Sequence, residues 1–153
     1  MNLADSYGRY KRMQVETADQ GTLILMLYDG AILALKHSHQ LLNTKPLDRE
    51  KFSNQIVKAR NIIYELAASL NLEAGGEIAK SLLSLYDYFV WRIGQADIKK
   101  DPIYLEDVLK HLQELRGAWA TIFRNARIQP KTDLSTPVSQ PALRSSRISS
   151  IVA

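Results

Sequence analysis

Apolar residues in this chain recur at spacings of three and four residues along several separate segments. The clearest of these segments contains Leu105, Val108, Leu112, Leu115, Trp119, Ile122 and Ala126. Side chains at this spacing share one face of an α-helix, and such a face is normally buried against other helices. No segment shows the alternation of apolar and polar residues that is typical of a half-buried β-strand. The pattern predicts an all-α fold.

Four helices are predicted, over residues 19–43, 49–71, 77–96 and 102–127. Asp19, Asp48 and Asp101 precede three of them as N-caps, and Pro102 takes a first helical position. Gly75 and Gly76 are expected to let the chain reverse between the second and third helices. Helices of this length joined by short loops favour antiparallel neighbours. We therefore expect an antiparallel up-down four-helix bundle over residues 17–127.

The two ends of the chain differ from the bundle in composition. Residues 1–16 are polar but contain Leu3, Tyr7 and Tyr10 at helical spacing, which predicts a short N-terminal helical segment. Residues 128–153 contain six serines and three prolines and few large apolar residues. Such a segment buries too little apolar surface to offset its ordering entropy, so we expect a disordered C-terminal tail.

Two of the predicted helices have more apolar surface than a bundle core uses. A bundle helix buries a stripe slightly wider than about 100°, but the polar residues of the first helix occupy a wedge of only about 60°. The third helix has an apolar face of roughly 160° at 100° per residue, and Tyr88 and Trp91 fall outside it. Either the N-terminal segment covers the surplus of the first helix, or a partner does.

The charge distribution argues against a nucleic-acid partner. The net charge is +4, and it comes from the ends, with +2 over residues 1–15, +3 over residues 127–153 and −1 over residues 16–126. Proteins that bind nucleic acids usually collect positive charge on one face. The longest apolar run begins at Leu23 and ends at Tyr28, too short to span a bilayer. We expect no membrane insertion, no signal peptide and a cytosolic location.

The sequence offers no constellation typical of an enzyme. There is no cysteine, and none of His37, His39 and His111 follows a glutamate by three residues, as di-iron helical bundles require. The pair Gly75 and Gly76 lacks the pattern and the preceding strand of a phosphate-binding loop. We expect no catalytic residue, no metal site and no cofactor.

Several strings of residues resemble the FliS family of flagellin-specific secretion chaperones. They are Leu23-Ile-Leu-Met-Leu-Tyr-Asp-Gly-Ala-Ile32, Ile63-Tyr-Glu-Leu-Ala-Ala-Ser-Leu-Asn71, the stretch from Gly75 to Tyr88 with Arg92, and Leu112-Gln-Glu-Leu-Arg-Gly-Ala-Trp119. The resemblance covers about residues 5–125. The first helix begins with Asp19-Gln-Gly-Thr22, where the family usually has a string such as Ser-Pro-Glu-Glu, and the tail has no counterpart.

The resemblance implies a cytosolic export chaperone. Such a chaperone binds the C-terminal segment of flagellin, prevents premature polymerisation and delivers the client to the flagellar type III export gate. With the apolar surplus, it predicts that flagellin contacts Leu25, Tyr28, Ile32, Leu33, Tyr88 and Trp91. Tyr7 and Tyr10 match the tyrosine-containing N-terminal segment of the family, and we expect them to contact the export gate or cover the client groove.

Two functions of other classes remain open at this stage. A self-associating structural or regulatory bundle would pair through its fourth helix and would be mostly dimeric without flagellin. A protein that binds nucleic acid through its tail would lose affinity steeply with salt. For a chaperone we expect a monomer or a weak homodimer.

Overall fold

The computed structural model describes residues 19–128, and the side chains of residues 19–126. Tyr7 and Tyr10, the rest of the N-terminal segment and the tail from residue 129 lie outside the described residues. Every regular element in the described range is an α-helix, and there are four. These are α1 (Gln20–Leu42), α2 (Arg49–Ala68), α3 (Leu72–Lys99) and α4 (Pro102–Ile128). The all-α prediction is confirmed.

The first turns of α1, α2 and α4 are capped by the predicted aspartates. Asp19 Oδ1 accepts a hydrogen bond from the backbone N–H of Thr22 at 2.7 Å. Asp48 and Asp101 accept similar bonds, each at 3.0 Å, from backbone N–H groups in the first turns of α2 and α4. These bonds satisfy donors that have no partner within the helix.

The junction between α2 and α3 differs from the prediction. The chain leaves α2 after Ala68, and Asn71 already caps α3 by accepting a hydrogen bond from the Ala74 N–H at 2.9 Å. The chain therefore turns before the glycine pair, at residues 69–71, whereas the predicted interruption of the helix by glycine is present at Gly76. Gly76 kinks α3 with φ 55° and ψ −136°, a non-helical backbone conformation that favours glycine. The N-cap at Asn71 was not predicted from the sequence.

The four helices form a closed ring in which each packs against two others. α1 packs against α2 and α4, and α3 packs against the same two, so α1 and α3 lie diagonally across the bundle. Asp29 of α1 contacts Arg116 of α4, and further along α1 His39 contacts Glu106. Residue numbers thus rise along α1 as they fall along α4, and these helices are antiparallel. The loops elsewhere in the ring are short, as in an up-down bundle.

A group of polar atoms lies in the middle of the apolar core. The hydroxyls of Tyr28 and Tyr86 are 2.5 Å apart, and Trp119 Nε1 donates to the Tyr28 hydroxyl at 3.1 Å. Burial raises the pKa of both tyrosines, so both remain protonated at neutral pH. The three side chains come from α1, α3 and α4, and they fix these helices relative to one another.

Candidate functional site

Tyr88 and Trp91 form a pair of exposed aromatic side chains on the outer side of α3. Their side chains are 39% and 56% exposed, and their ring centroids are 6.2 Å apart. They lie outside the buried stripe of α3, as their helical spacing predicts. We call these two residues the aromatic platform. Large exposed aromatics in contact with each other are typical of protein interaction surfaces.

The aromatic platform is tied to α4 through Asp107. Asp107 Oδ2 accepts a hydrogen bond from the Tyr88 hydroxyl at 2.7 Å and a second from Arg92 Nε at 3.0 Å. The bond from Tyr88 and the charge of Arg92 hold the pKa of the Asp107 carboxyl below its usual value. The same bond raises the pKa of Tyr88, so its hydroxyl stays a donor. Asp107 was not among the residues singled out from the sequence.

A signal for Asp107 does exist in the sequence. Arg92 and Asp107 lie at similar distances before and after the short α3–α4 loop, which is the register of an antiparallel helix pair. An arginine and an aspartate at such mirrored positions can meet across two helices.

The candidates on α1 lie on two different sides of that helix. Leu33 is 52% exposed and points away from the bundle. Leu25 and Ile32 are half-buried and lie about one turn before and after Asp29. Asp29 in turn pairs with Arg116 of α4, with N–O distances of 2.9 and 3.2 Å. Leu25 and Ile32 therefore border the seam between α1 and α4.

Tyr28 is a predicted client contact that is fully buried in the structure. Its side chain has no exposed area, and its hydroxyl is engaged by Tyr86 and Trp119. A client cannot reach it without opening the core. Apolar residues cover most of the first helix, so spacing alone did not distinguish the core-facing members from the others. The expected client contact at Tyr28 is corrected to a core position.

The predicted contacts do not form one continuous surface. Leu33 points outward from α1 and the aromatic platform points outward from α3, and these two helices are diagonal in the ring. Leu25 and Ile32 lie at the edge of the α1 surface, beside α4. A single client segment that touches both sets must therefore run around part of the bundle.

The structure adds an apolar hollow along the wide apolar face that was predicted for the third helix. The hollow has a volume of about 310 Å³ and lies along α3, where Ile78, Leu82 and Leu85 line it with Glu77 and Ser81. Ile78 is 42% exposed, and Leu85 is only partly buried. The sequence feature that indicates this hollow is the unusually wide apolar face of α3. A face of 160° exceeds what a bundle helix buries, so part of it must remain exposed.

The other large hollows are more polar. One of about 470 Å³ lies between α1 and α2 and includes His37, Lys51 and Gln55, whose buried Oε1 has no hydrogen-bond partner. Across residues 19–128 no cluster of histidine and acidic side chains is arranged to hold a metal ion. Within the same residues no helix combines the length and the apolar character needed to cross a membrane.

Comparison with known proteins decides the family. The family model described as "Flagellar protein FliS" matches residues 3–126, which include the whole of the bundle up to the last turn of α4. The chain belongs to the FliS family. The match also includes the positions of Tyr7 and Tyr10, while the predicted tail lies beyond it.

Relatives from three bacteria resemble this FliS-family chain over most of its length. The Bacillus subtilis relative is 32% identical over 127 residues, which cover 83% of this chain and 92% of the relative. The Vibrio cholerae relative is 38% identical over 120 residues, or 74% and 85% of the two chains. The Salmonella typhimurium relative is 35% identical over 134 residues, or 84% and 98%. All three are named flagellar secretion chaperone FliS, which places the family among chaperones and not among enzymes.

Proposed function

We propose that this FliS-family chain is a cytosolic export chaperone that binds the C-terminal segment of flagellin. It keeps that segment from polymerising before export and delivers it to the flagellar type III export gate. The observation that carries the proposal is the aromatic platform, exposed on α3 in a member of a family whose relatives are named flagellar secretion chaperones.

The exposed surfaces suit an amphipathic client segment. The aromatic platform and the hollow lined by Ile78 and Leu85 lie on one helix, and Leu33 lies on another. An amphipathic helix presents apolar side chains at intervals of three and four residues, which can enter such sites in turn. A client that is disordered when free loses conformational entropy on binding, and this limits its affinity. Limited affinity suits a client that must be released at the export gate.

The N-terminal tyrosines belong to the same proposal. Tyr7 and Tyr10 would contact the export gate or cover the client groove until flagellin displaces them. The proposed chaperone is a monomer or a weak homodimer when free, and it needs neither a cofactor nor a nucleic acid.

The test is the affinity of Trp91→Ala for the C-terminal segment of flagellin. An aromatic anchor at the centre of an interface typically contributes at least about 2 kcal/mol, or roughly 30-fold in Kd. We expect a loss of that size by isothermal titration calorimetry, and loss of co-purification with full-length flagellin. Flagellin lacking its C-terminal segment should fail to bind the unsubstituted chain.

The matched control is Tyr64→Ala, because Tyr64 is also a half-exposed aromatic, on α2, and is not part of the proposed surface. This variant should bind flagellin within about twofold of the unsubstituted chain. Undiminished binding by Trp91→Ala would remove the aromatic platform from the client site. Failure of the unsubstituted chain to bind flagellin at all would refute the proposed function itself.

A further inference from the structure

Asp107 joins two side chains of α3 through a single oxygen atom. Its Oδ2 accepts from the Tyr88 hydroxyl and from Arg92 Nε, at 2.7 and 3.0 Å. His111, one turn further along α4, approaches the other carboxylate oxygen to 3.5 Å and bonds the Asp107 backbone carbonyl at 2.8 Å. The two hydrogen bonds from α3 to Oδ2 therefore restrain the rotation of the carboxylate.

The partners of Asp107 are themselves held in place. The Arg92 guanidinium lies over the ring of Tyr104 at 4.5 Å from its centroid, so it packs against α4 as well as pairing with Asp107. The Tyr88 ring contacts Phe89, which is fully buried, at 6.3 Å and Trp91 at 6.2 Å. A continuous set of contacts thus runs from Tyr104 to the exposed Trp91.

An exposed tyrosine without such contacts would rotate about two side-chain bonds. The Tyr88 ring is fixed at one end by its backbone and at the other by the hydrogen bond to a charged acceptor, which is stronger than a neutral one. Because Trp91 packs against that ring, restraint of Tyr88 also restrains Trp91. The aromatic platform is therefore formed before any client arrives.

We propose that Asp107 is a positioning residue that holds the aromatic platform in its client-binding arrangement. The inference rests on the proposed function, since it concerns how the same site binds its client. Ordering one large side chain on binding weakens affinity by roughly two- to twelvefold, and a preformed platform avoids that loss. Asp107 contributes through Tyr88 and need not touch the client.

The decisive variant is Tyr88→Phe, which removes one hydroxyl and leaves the ring and the Arg92–Asp107 ion pair in place. We expect the affinity for the C-terminal segment of flagellin to fall roughly threefold to tenfold. We also expect Trp91 to become more mobile in the free protein. The chain has two tryptophans, so 5-fluorotryptophan labelling gives two ¹⁹F signals, and the buried Trp119 serves as an internal reference.

The matched control is Glu106→Gln, which alters another side-chain contact between α4 and a neighbouring helix, the one with His39. It should change neither the Trp91 signal nor the affinity by more than about twofold, the range expected of exposed side-chain contacts. In an Asp107→Asn background, Tyr88→Phe should cause a smaller loss of affinity than in the unsubstituted chain, because the bond that it removes is already weakened. This coupling separates positioning from a general effect on stability.

Three results would overturn the positioning role of Asp107. They are an unchanged ¹⁹F relaxation of Trp91 in Tyr88→Phe, an unchanged affinity of that variant, and an equal loss of affinity in Glu106→Gln. The experiment also separates the two proposals. If Trp91→Ala abolishes binding while Tyr88→Phe binds normally, the client site stands and only the role of Asp107 fails. If Trp91→Ala binds normally, the client site itself fails.

Discussion

At the scale of single residues, Tyr28 has the most partners among the polar side chains of the core. Its hydroxyl accepts from Trp119 Nε1 and shares a hydrogen bond with Tyr86. Tyr28→Phe leaves both partner groups buried without a bond, and each such group destabilises the fold by about 1–3 kcal/mol. We expect the free energy of unfolding to fall by roughly 2–4 kcal/mol in urea titrations.

Two further tyrosine substitutions provide comparisons for the loss of stability expected in Tyr28→Phe. Tyr86→Phe removes one bond but leaves Tyr28 bonded to Trp119, so it should destabilise the fold less than Tyr28→Phe. Tyr64→Phe removes a hydroxyl from a half-exposed side chain and should change stability by less than about 0.5 kcal/mol. Equal effects of Tyr28→Phe and Tyr64→Phe would contradict the role of the buried hydrogen bonds.

The roles of individual residues were predictable where a helix has a clear apolar stripe. On α3 the spacing placed Tyr88 and Trp91 outside the core, and both are exposed. On α1 apolar residues surround most of the helix, so spacing did not show that Tyr28 is buried while Leu33 is exposed. That distinction depends on which sides α2 and α4 cover, which is a property of the assembled bundle.

At the scale of the helices, the start of α1 is packed so closely against α4 that only glycine fits. A Cβ built on Gly21 would lie 2.8 Å from Cγ of the Phe123 ring, in the buried core. Overpacking of this kind typically destabilises a protein by about 1–3 kcal/mol. Better helix propensity offsets only part of this. We expect Gly21→Ala to lower the free energy of unfolding by about 1–2 kcal/mol.

Gly117 in the middle of α4 is the matched control. A Cβ there meets nothing within 4 Å, so Gly117→Ala adds helix propensity without a clash. It should raise the free energy of unfolding by about 0.5–1 kcal/mol. Thermal unfolding of the two variants should give shifts in Tm of opposite sign, and shifts of the same sign would refute the proposed contact between Gly21 and Phe123.

Helix starts were easier to predict than helix ends. The aspartate caps act through a side chain and a backbone N–H three residues later or fewer, so local sequence contains the whole interaction. The Asn71 cap is equally local, but the glycine pair that follows gave a stronger signal for a break. α3 ends at Lys99, because the next residue, Lys100, has a positive φ of 54° and leaves the helical conformation. Non-glycine residues seldom adopt this conformation, so the end of α3 was hard to predict.

At the scale of the whole molecule, ion pairs link α4 to both of its neighbours. The Arg92–Asp107 ion pair joins it to α3, and the Asp29–Arg116 ion pair and the His39–Glu106 hydrogen bond join it to α1. Partly exposed pairs contribute little to stability, but they restrict how α4 can slide along α1 and α3. The short loops were enough to predict which helices are neighbours. Predicting these pairs also requires the register between neighbouring helices.

The position of the candidate contacts on opposite sides of the bundle sets a minimum length for the client. Helix axes in bundles are about 8–10 Å apart, so a path around the surface from α3 to α1 measures roughly 35–40 Å. That path needs about 25 helical residues or about 11 fully extended residues. A shorter segment can contact the aromatic platform or Leu33, but not both.

We therefore expect Leu33→Asp and Trp91→Ala to weaken binding of a long C-terminal flagellin segment by additive free energies, because the two sites are far apart and share no partner. For a segment of about ten residues that binds at α3, only Trp91→Ala should matter. Calorimetric titrations of both segments against the single and double variants provide the measurement.

Leu33 is exposed, so the fold should tolerate aspartate there, and urea titration checks this. An unchanged Kd of Leu33→Asp for the long segment would show that the client stays on the α3 side, and the apolar surplus of α1 would then need another partner.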